Sequence, residues 1–237
     1  MKYGLQEIKL KSWNDYHELV LKSFQNPNYV YRGQRDPEWL LEPALHRFLK
    51  QKRVTQINYD KVKENHLNTF KLSIRGRTHI FERISEDANE LWSLGQHFGL
   101  KTPFLDFTLS PYVAAYFALS QESDTHHCVV YAVSKRFIGD ASSLDIYEPR
   151  TDHNQRLLNQ SGLFVYFSTL DNMASILAKT VVENTTKVKI RKILIPMTDR
   201  ITALKHLESM NISSNTLFPD LQGACEYCNH TLSQKLI

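Results

Sequence analysis

The segment LDFTLSPYVAAYFAL, residues 105–119, constrains the fold more than any other stretch of this 237-residue chain. Its second half opens on Ser-Pro, the signature of a helix start. Ser110 supplies an N-cap oxygen, and Pro111 takes the first helical position, where its missing N–H costs nothing. Val113, Ala114, Phe117 and Ala118 then share one face, and the two alanines let that face lie close against a sheet. In the first half, Asp106, Thr108 and Ser110 alternate, so in extended backbone they point to one side. That trio is unusual for a core strand. Either it caps neighbouring backbone groups or it lines a site. Ser110 itself is either a plain cap or the start of a phosphate site built from helix N–H groups.

Just upstream, GQHFGL closes another helix. Gly99 suits the left-handed C-terminal position, which puts His97 in the last turn. His97 is then a structural cap or, across the turn through Pro103, a partner for Asp106 in one cleft. SWNDYHELVLKSF (12–24) reads as an amphipathic helix capped by Ser12, and YVYRGQ as a strand reaching Gly33. From Tyr59 to Leu94 the pattern is helical, divided at Gly76. CVVYAV (128–133), LFVYFS (163–168) and KILIPM (192–197) read as strands. TDRITALKHLESMNI (198–212) reads as a helix capped by Thr198 or Asp199. Strands and helices mix without strict alternation, which predicts an α+β fold.

Composition sets outer bounds. The formal charge of +4 is too small to argue for nucleic acid by itself. KVKIRK (187–192) reads as a strand with a solvated face. The N-terminus shows no apolar signal region, no run of eighteen apolar residues occurs, and the three cysteines fit a reducing compartment. The expectation is a cytoplasmic protein without a membrane partner. Cys225 and Cys228, with His230 and a distant Cys128 flanked by His126 and His127, hint at zinc. They equally fit an ordinary loop entering the last helix, and no metal site is expected.

GQHFGLKTPFLDFTLSPYVAAYFAL resembles the central motif of the FRG domain family, and YRGQ (31–34) resembles the Phe-Arg-Gly that names it. NQRLLNQSGLFVYF (154–167) resembles the family's third block, and KILIPM and LFPDLQGAC resemble its closing strand and loop. Phe104 and Phe107 stand where the family pattern usually carries Arg and Trp. The resemblance implies one FRG domain over 1–237, with a helical insertion at about 47–94.

A more distant resemblance runs to mono-ADP-ribosyltransferases, through VYRGQ followed by LDFTLSPYVAAYFA. It implies a split, mostly antiparallel sheet and NAD as substrate. Arg32 would bind the pyrophosphate, or else simply pair with Asp36 or Asp106. Gly33 and Gln34 would meet the nicotinamide amide, and Thr108 and Ser110 the ribose. Arg156 joins the same cofactor-binding set. The catalytic candidates are Gln160, Glu148, His97 and Asp106, with Glu226 as a further carboxylate. Members of the family in bacteria and phages suggest a defence or toxin role, with a protein or nucleic-acid target. Two alternatives stand beside the NAD enzyme: a non-catalytic module binding nucleotide, nucleic acid or protein, and a metal-independent nuclease using His97 and Asp106.

Overall fold

The computed structural model describes residues 4–24, 27–77, 86–149, 155–180 and 188–235. In chain order the first elements are β1 (Leu5–Lys9), α1 (Trp13–Ser23), β2 (Tyr29–Gln34), α2 (Ala44–Gln51), α3 (Gln56–Ser73) and α4 (Ala88–His97). Then come β3 (Phe104–Thr108), α5 (Pro111–Leu119), β4 (His127–Ser134), α6 (Lys135–Asp140), β5 (Leu144–Tyr147), α7 (Gln155–Asn159) and β6 (Gly162–Phe167). The chain closes with α8 (Met173–Thr180), β7 (Ile190–Pro196), a 3₁₀ turn at Met197–Asp199, α9 (Arg200–Ser209), α10 (Ser214–Leu217) and α11 (Leu221–Lys235).

The strands form one sheet in the order β1-β7-β4-β2-β3-β6-β5. Among the described residues only β1 and β7 pair in parallel, and every other pairing is antiparallel. The fold is therefore α+β with a mixed, mostly antiparallel sheet, as the sequence predicts. β4 shows why both faces must be covered. Cys128, Val130 and Ala132 join Val113, Ala114 and Ala118 of α5, and Ala203 and Leu207 of α9, in one apolar cluster. Val129, Tyr131 and Val133 join Phe137 of α6 and Met173, Ile176 and Leu177 of α8 in another. A strand buried on both faces reads as a continuous apolar run rather than an alternating one.

The sheet is weakest at one seam. β2 pairs with β4 at six positions from Tyr29 to Gln34, and β3 with β6 at five, but β2 meets β3 at the single pair Tyr31–Thr108. Beyond that pair the two strands part. α5 lies across β2 just there. A Cβ at Gly33 would sit 1.8 Å from the Ala114 carbonyl oxygen and 2.8 Å from the Ala118 nitrogen. Gly33 is thus glycine because a helix backbone passes where a side chain would be.

Several local readings change. Ser12 caps α1 in a capping box with Asp15, as expected. Asp199, by contrast, does not cap its own helix by its side chain: its Oδ2 accepts from the Trp13 N–H at 2.8 Å and so serves the start of α1. GACEYCNH is helical within α11 and not a loop. Cys128 is fully buried, and Cys225 and Cys228 are exposed. Among the described residues no group of three His, Cys, Asp or Glu side chains is placed for a metal. The His230 side chain lies outside the described parts. Of the helical insertion expected at about 47–94, α3 and most of α2 and α4 are seen; residues 78–85 lie outside the described set. No described helix is long and apolar enough to cross a membrane.

The insertion is fastened to the sheet by a buried polar chain. Tyr59 of α3 donates from its hydroxyl to the Phe167 carbonyl at 3.1 Å, and His46 of α2 shares a 2.8 Å hydrogen bond with the same hydroxyl. His46 is fully buried, and burial pushes its pKa down to about 3, helped by Lys50. Lys63 lowers it further, while Asp171 acts in the opposite direction.

Two outcomes follow from this packing. Gly33→Ala should destabilise the fold by about 3 kcal/mol or more, because the clash is with helix backbone that cannot rotate away; the midpoint of urea unfolding measures it. Between the ordinary histidine value and pH 3, the unfolded chain takes up a proton that folded His46 refuses. Stability is therefore full above the unfolded pKa and falls with pH, by about 1.4 kcal/mol per pH unit inside that window. His46→Gln keeps a polar partner for Tyr59 and should flatten that slope in urea titrations at pH 6.5, 5.5 and 4.5.

Candidate functional site

The seam between β2 and β3 opens into a cavity of about 410 Å³. Tyr31, Arg32, Gly33 and Gln34 of β2 form its floor. Asp106, Phe107 and Thr108 of β3 and Gln160 stand on one side, and Phe117, Ser120 and Gln121 at the far end of α5 on another. Arg35 and Trp39 complete the wall. Arg32 reaches across the gap: its Nη1 donates to the Asp106 carbonyl at 2.7 Å and lies 3.5 Å from Asp106 Oδ2. A side chain here makes the cross-strand bond that the parted backbones do not.

The polar groups on β2 are under-satisfied. Tyr31 Oη, Arg32 Nε and Gln34 Oε1 are buried without a hydrogen-bond partner among the described residues. Buried polar atoms are nearly always paired. Gln34 as a residue is only 6% exposed, and it lines the cavity. Burial lowers the Arg32 pKa, Asp106 opposes that, and nearby Arg47 reinforces it. A guanidinium keeps its charge through such shifts, so the seam holds a partly buried cation that an anion would stabilise.

Asp106 is the hinge of a small network. Its side chain is 60% exposed. Oδ1 accepts from Gln96 Nε2 at 3.0 Å, and Gln96 Oε1 in turn accepts from the Thr102 hydroxyl. Thr102 Oγ1 also accepts from the Phe104 N–H at 3.2 Å. Gln96 was not among the expected site residues, although it begins the QHFG part of the motif. Trp39, Arg35 and Gln121 were likewise not anticipated; an exposed tryptophan carries no periodic signal.

A second cavity of about 160 Å³ adjoins the first and shares Asp106 and Gln160 with it. Gln96, His97, Arg156, Leu157, Phe164 and Phe218 complete its lining. Arg32, Gly33, Gln34, His97, Asp106, Thr108, Arg156 and Gln160 thus fall on two neighbouring cavities, from separate blocks of sequence. Several do structural work there. The Thr108 hydroxyl donates to the Gln160 carbonyl at 2.6 Å and accepts from the Ser110 N–H. Gln160 Nε2 donates to the Leu217 carbonyl at 3.0 Å. Arg156 grips Asp220 through Nε and Nη2 and stacks 5.4 Å from the Phe218 ring.

Four of the expected groups have placements and contacts of their own. Ser110 caps α5 by accepting from the Val113 N–H at 3.2 Å and lines neither cavity. The first cavity meets α5 at its C-terminal end instead, where Arg200 donates to the Leu119 and Ser120 carbonyls and so offsets their partial negative charge. Glu148 is exposed beyond β5, at the edge of the sheet, and lines neither cavity. Glu226 accepts from Gln222 one turn away on α11, also outside both. Lastly, His97 and Asp106 do not pair: the Asp106 oxygens face Gln96 and Arg32. Burial and Arg156 lower the His97 pKa, with Asp220 acting against them. Phe104 shares a face of β3 with Asp106 but stacks on Phe164, ring centres 5.0 Å apart, beneath the cavities.

If Gln160 is a staple for the C-terminal segment, Gln160→Ala should cost about 1 kcal/mol. Faster amide exchange should be confined to residues 217–223 and their neighbours; uniform exchange across the sheet would contradict a local staple.

Residues 27–127 match the family model of the FRG domain. Searches of curated proteins and of solved structures return no match. The matched span starts just before β2, takes in the seam and α5, and ends at the first residue of β4. The chain carries an FRG domain over residues 27–127, and that domain supplies all of the first cavity's lining except Gln160.

Proposed function

We propose that the seam cavity binds a nucleotide through its pyrophosphate, with NAD as the substrate class and ADP-ribosyl transfer or NAD hydrolysis as the activity. The observation that carries this reading is the pair of buried polar atoms, Arg32 Nε and Gln34 Oε1, that have no partner among the described residues, set beside a cavity of about 410 Å³ that Arg32 and Gln34 both line. A guanidinium offers a planar fork of donors suited to phosphate oxygens. β2 and β3 part beyond the single pair Tyr31–Thr108, and the space between them is where such a ligand would lie.

In such a reaction the bond between the ribose C1′ and the nicotinamide nitrogen breaks, and its electron pair returns to the ring. An acceptor nucleophile or water then bonds to C1′ and gives up a proton. Asp106 is the carboxylate among the lining residues of both cavities. On this reading Asp106, and neither Glu148 nor Glu226, faces the positive charge that develops on the ribose. The tie from Asp106 to Gln96 and Arg32 favours a second reading, in which the carboxylate is purely structural and the domain binds nucleotide without turnover.

Calorimetry with NAD and ADP-ribose, run beside transfer of label from NAD, separates these. Arg32→Ala should weaken binding by roughly ten- to hundred-fold, the loss of one charge-assisted hydrogen bond. Arg32→Lys should not restore it. Because Arg32 also bridges the seam, Gln34→Ala is the companion variant, and unchanged melting temperatures qualify each result. Label transfer abolished by Asp106→Asn would support the enzyme; binding without transfer in the wild type would support the module. No binding at millimolar nucleotide would remove both.

A further inference from the structure

Trp39 is held at the cavity wall without being buried. Trp13 and Trp92 are 2% and 3% exposed, whereas Trp39 is 46% exposed. The Arg35 guanidinium carbon lies 5.0 Å from its ring centre. Arg35 is itself fixed twice: its Nη1 donates to Gln121 Oε1 at 2.7 Å, and its carbonyl accepts from the Thr125 hydroxyl at 3.1 Å. A large aromatic ring, a stacked guanidinium and a cavity therefore meet at one place.

Contacts along β2 give the order of groups in the cavity. Tyr31 pairs with Thr108, Arg32 bonds Asp106, and Arg35 just past the strand bonds Gln121. From Arg32 to Arg35 is about 10 Å of extended chain. Arg32 and Trp39 line the same cavity, so one ligand can set an anion against the first and a flat ring against the second. Arg35 brings a second positive charge to the same end, which suits a ring attached to phosphates rather than an apolar side chain. We infer that Trp39, braced by Arg35, is the stacking platform for a nucleobase whose diphosphate is held by Arg32. The cavity then selects a nucleoside diphosphate group over bare phosphate or a sugar phosphate. This rests on the phosphate-binding reading above and adds the end of the ligand that it left open.

The test compares inorganic pyrophosphate, ribose 5-phosphate and ADP-ribose by calorimetry on wild type, Trp39→Ala and Trp39→Phe. Base stacking on an aromatic side chain predicts that Trp39→Ala weakens ADP-ribose by roughly ten- to hundred-fold. Pyrophosphate and ribose 5-phosphate should be unaffected, and Trp39→Phe should keep most of the ADP-ribose affinity. With the other two tryptophans buried, ADP-ribose should also quench wild-type fluorescence, and the quench should vanish in Trp39→Phe. Equal loss for all three ligands, or no loss for ADP-ribose, would overturn the platform while leaving the Arg32 phosphate site standing. Failure of the wild type to bind any of them would overturn both.

Discussion

A guanidinium bonded across a gap in the sheet is the contact on which the rest of the candidate site depends. Arg32 joins β2 to the Asp106 carbonyl where backbone pairing has stopped after Tyr31–Thr108. Burying a cation is costly unless it is paired, and the pairing here is partial. Asp106 is the nearby carboxylate, yet it is mostly exposed and shared with Gln96, while Arg32 Nε has no partner among the described residues. The same residue therefore closes the sheet while lining an opening, with its charge only partly matched. α5 fixes the arrangement from above: its backbone presses on Gly33, so β2 cannot shift toward it.

Much of this was legible because it is local. Ser12, Ser110, Pro111 and Gly99 act at their own helix ends, and each behaves as its residue type predicts. The apolar runs of β4, β6 and β7 are long enough to announce themselves. β1 and β5 were missed because both lie at sheet edges, where one side needs no partner strand and polar residues are tolerated. The last helix begins earlier than its sequence suggests, because the exposed face of α11 gives the cysteine stretch no apolar period.

What sequence reasoning could not supply was the destination of side chains. Asp199 has the residue type of a cap, and it is one, but for a helix 186 residues away in the chain. Gly33 was expected to present backbone to a ligand, whereas its small size is required by the Ala114 carbonyl. Glu148 looked like an available acid only because nothing in a sequence tells which end of an edge strand faces a cleft. Gln160 sits in a recognisable block, yet its amide holds Leu217, a contact set by the return of the C-terminal segment.

Charge distinguishes the two cavities that meet at Asp106. In the second, Arg156 is matched by Asp220, which is held below the usual carboxylate range by the Gly223 N–H and by Arg156. His97 is kept toward its neutral form by burial and by Arg156. That space is nearly self-neutralised and floored by Leu157, Phe164 and Phe218. In the first, Arg32 and Arg35 face a single carboxylate already shared between two partners. On the proposed reading an anionic group lies on the β2 side and an uncharged group on the side of His97. Asp106, touching both spaces, is where the two would come into contact.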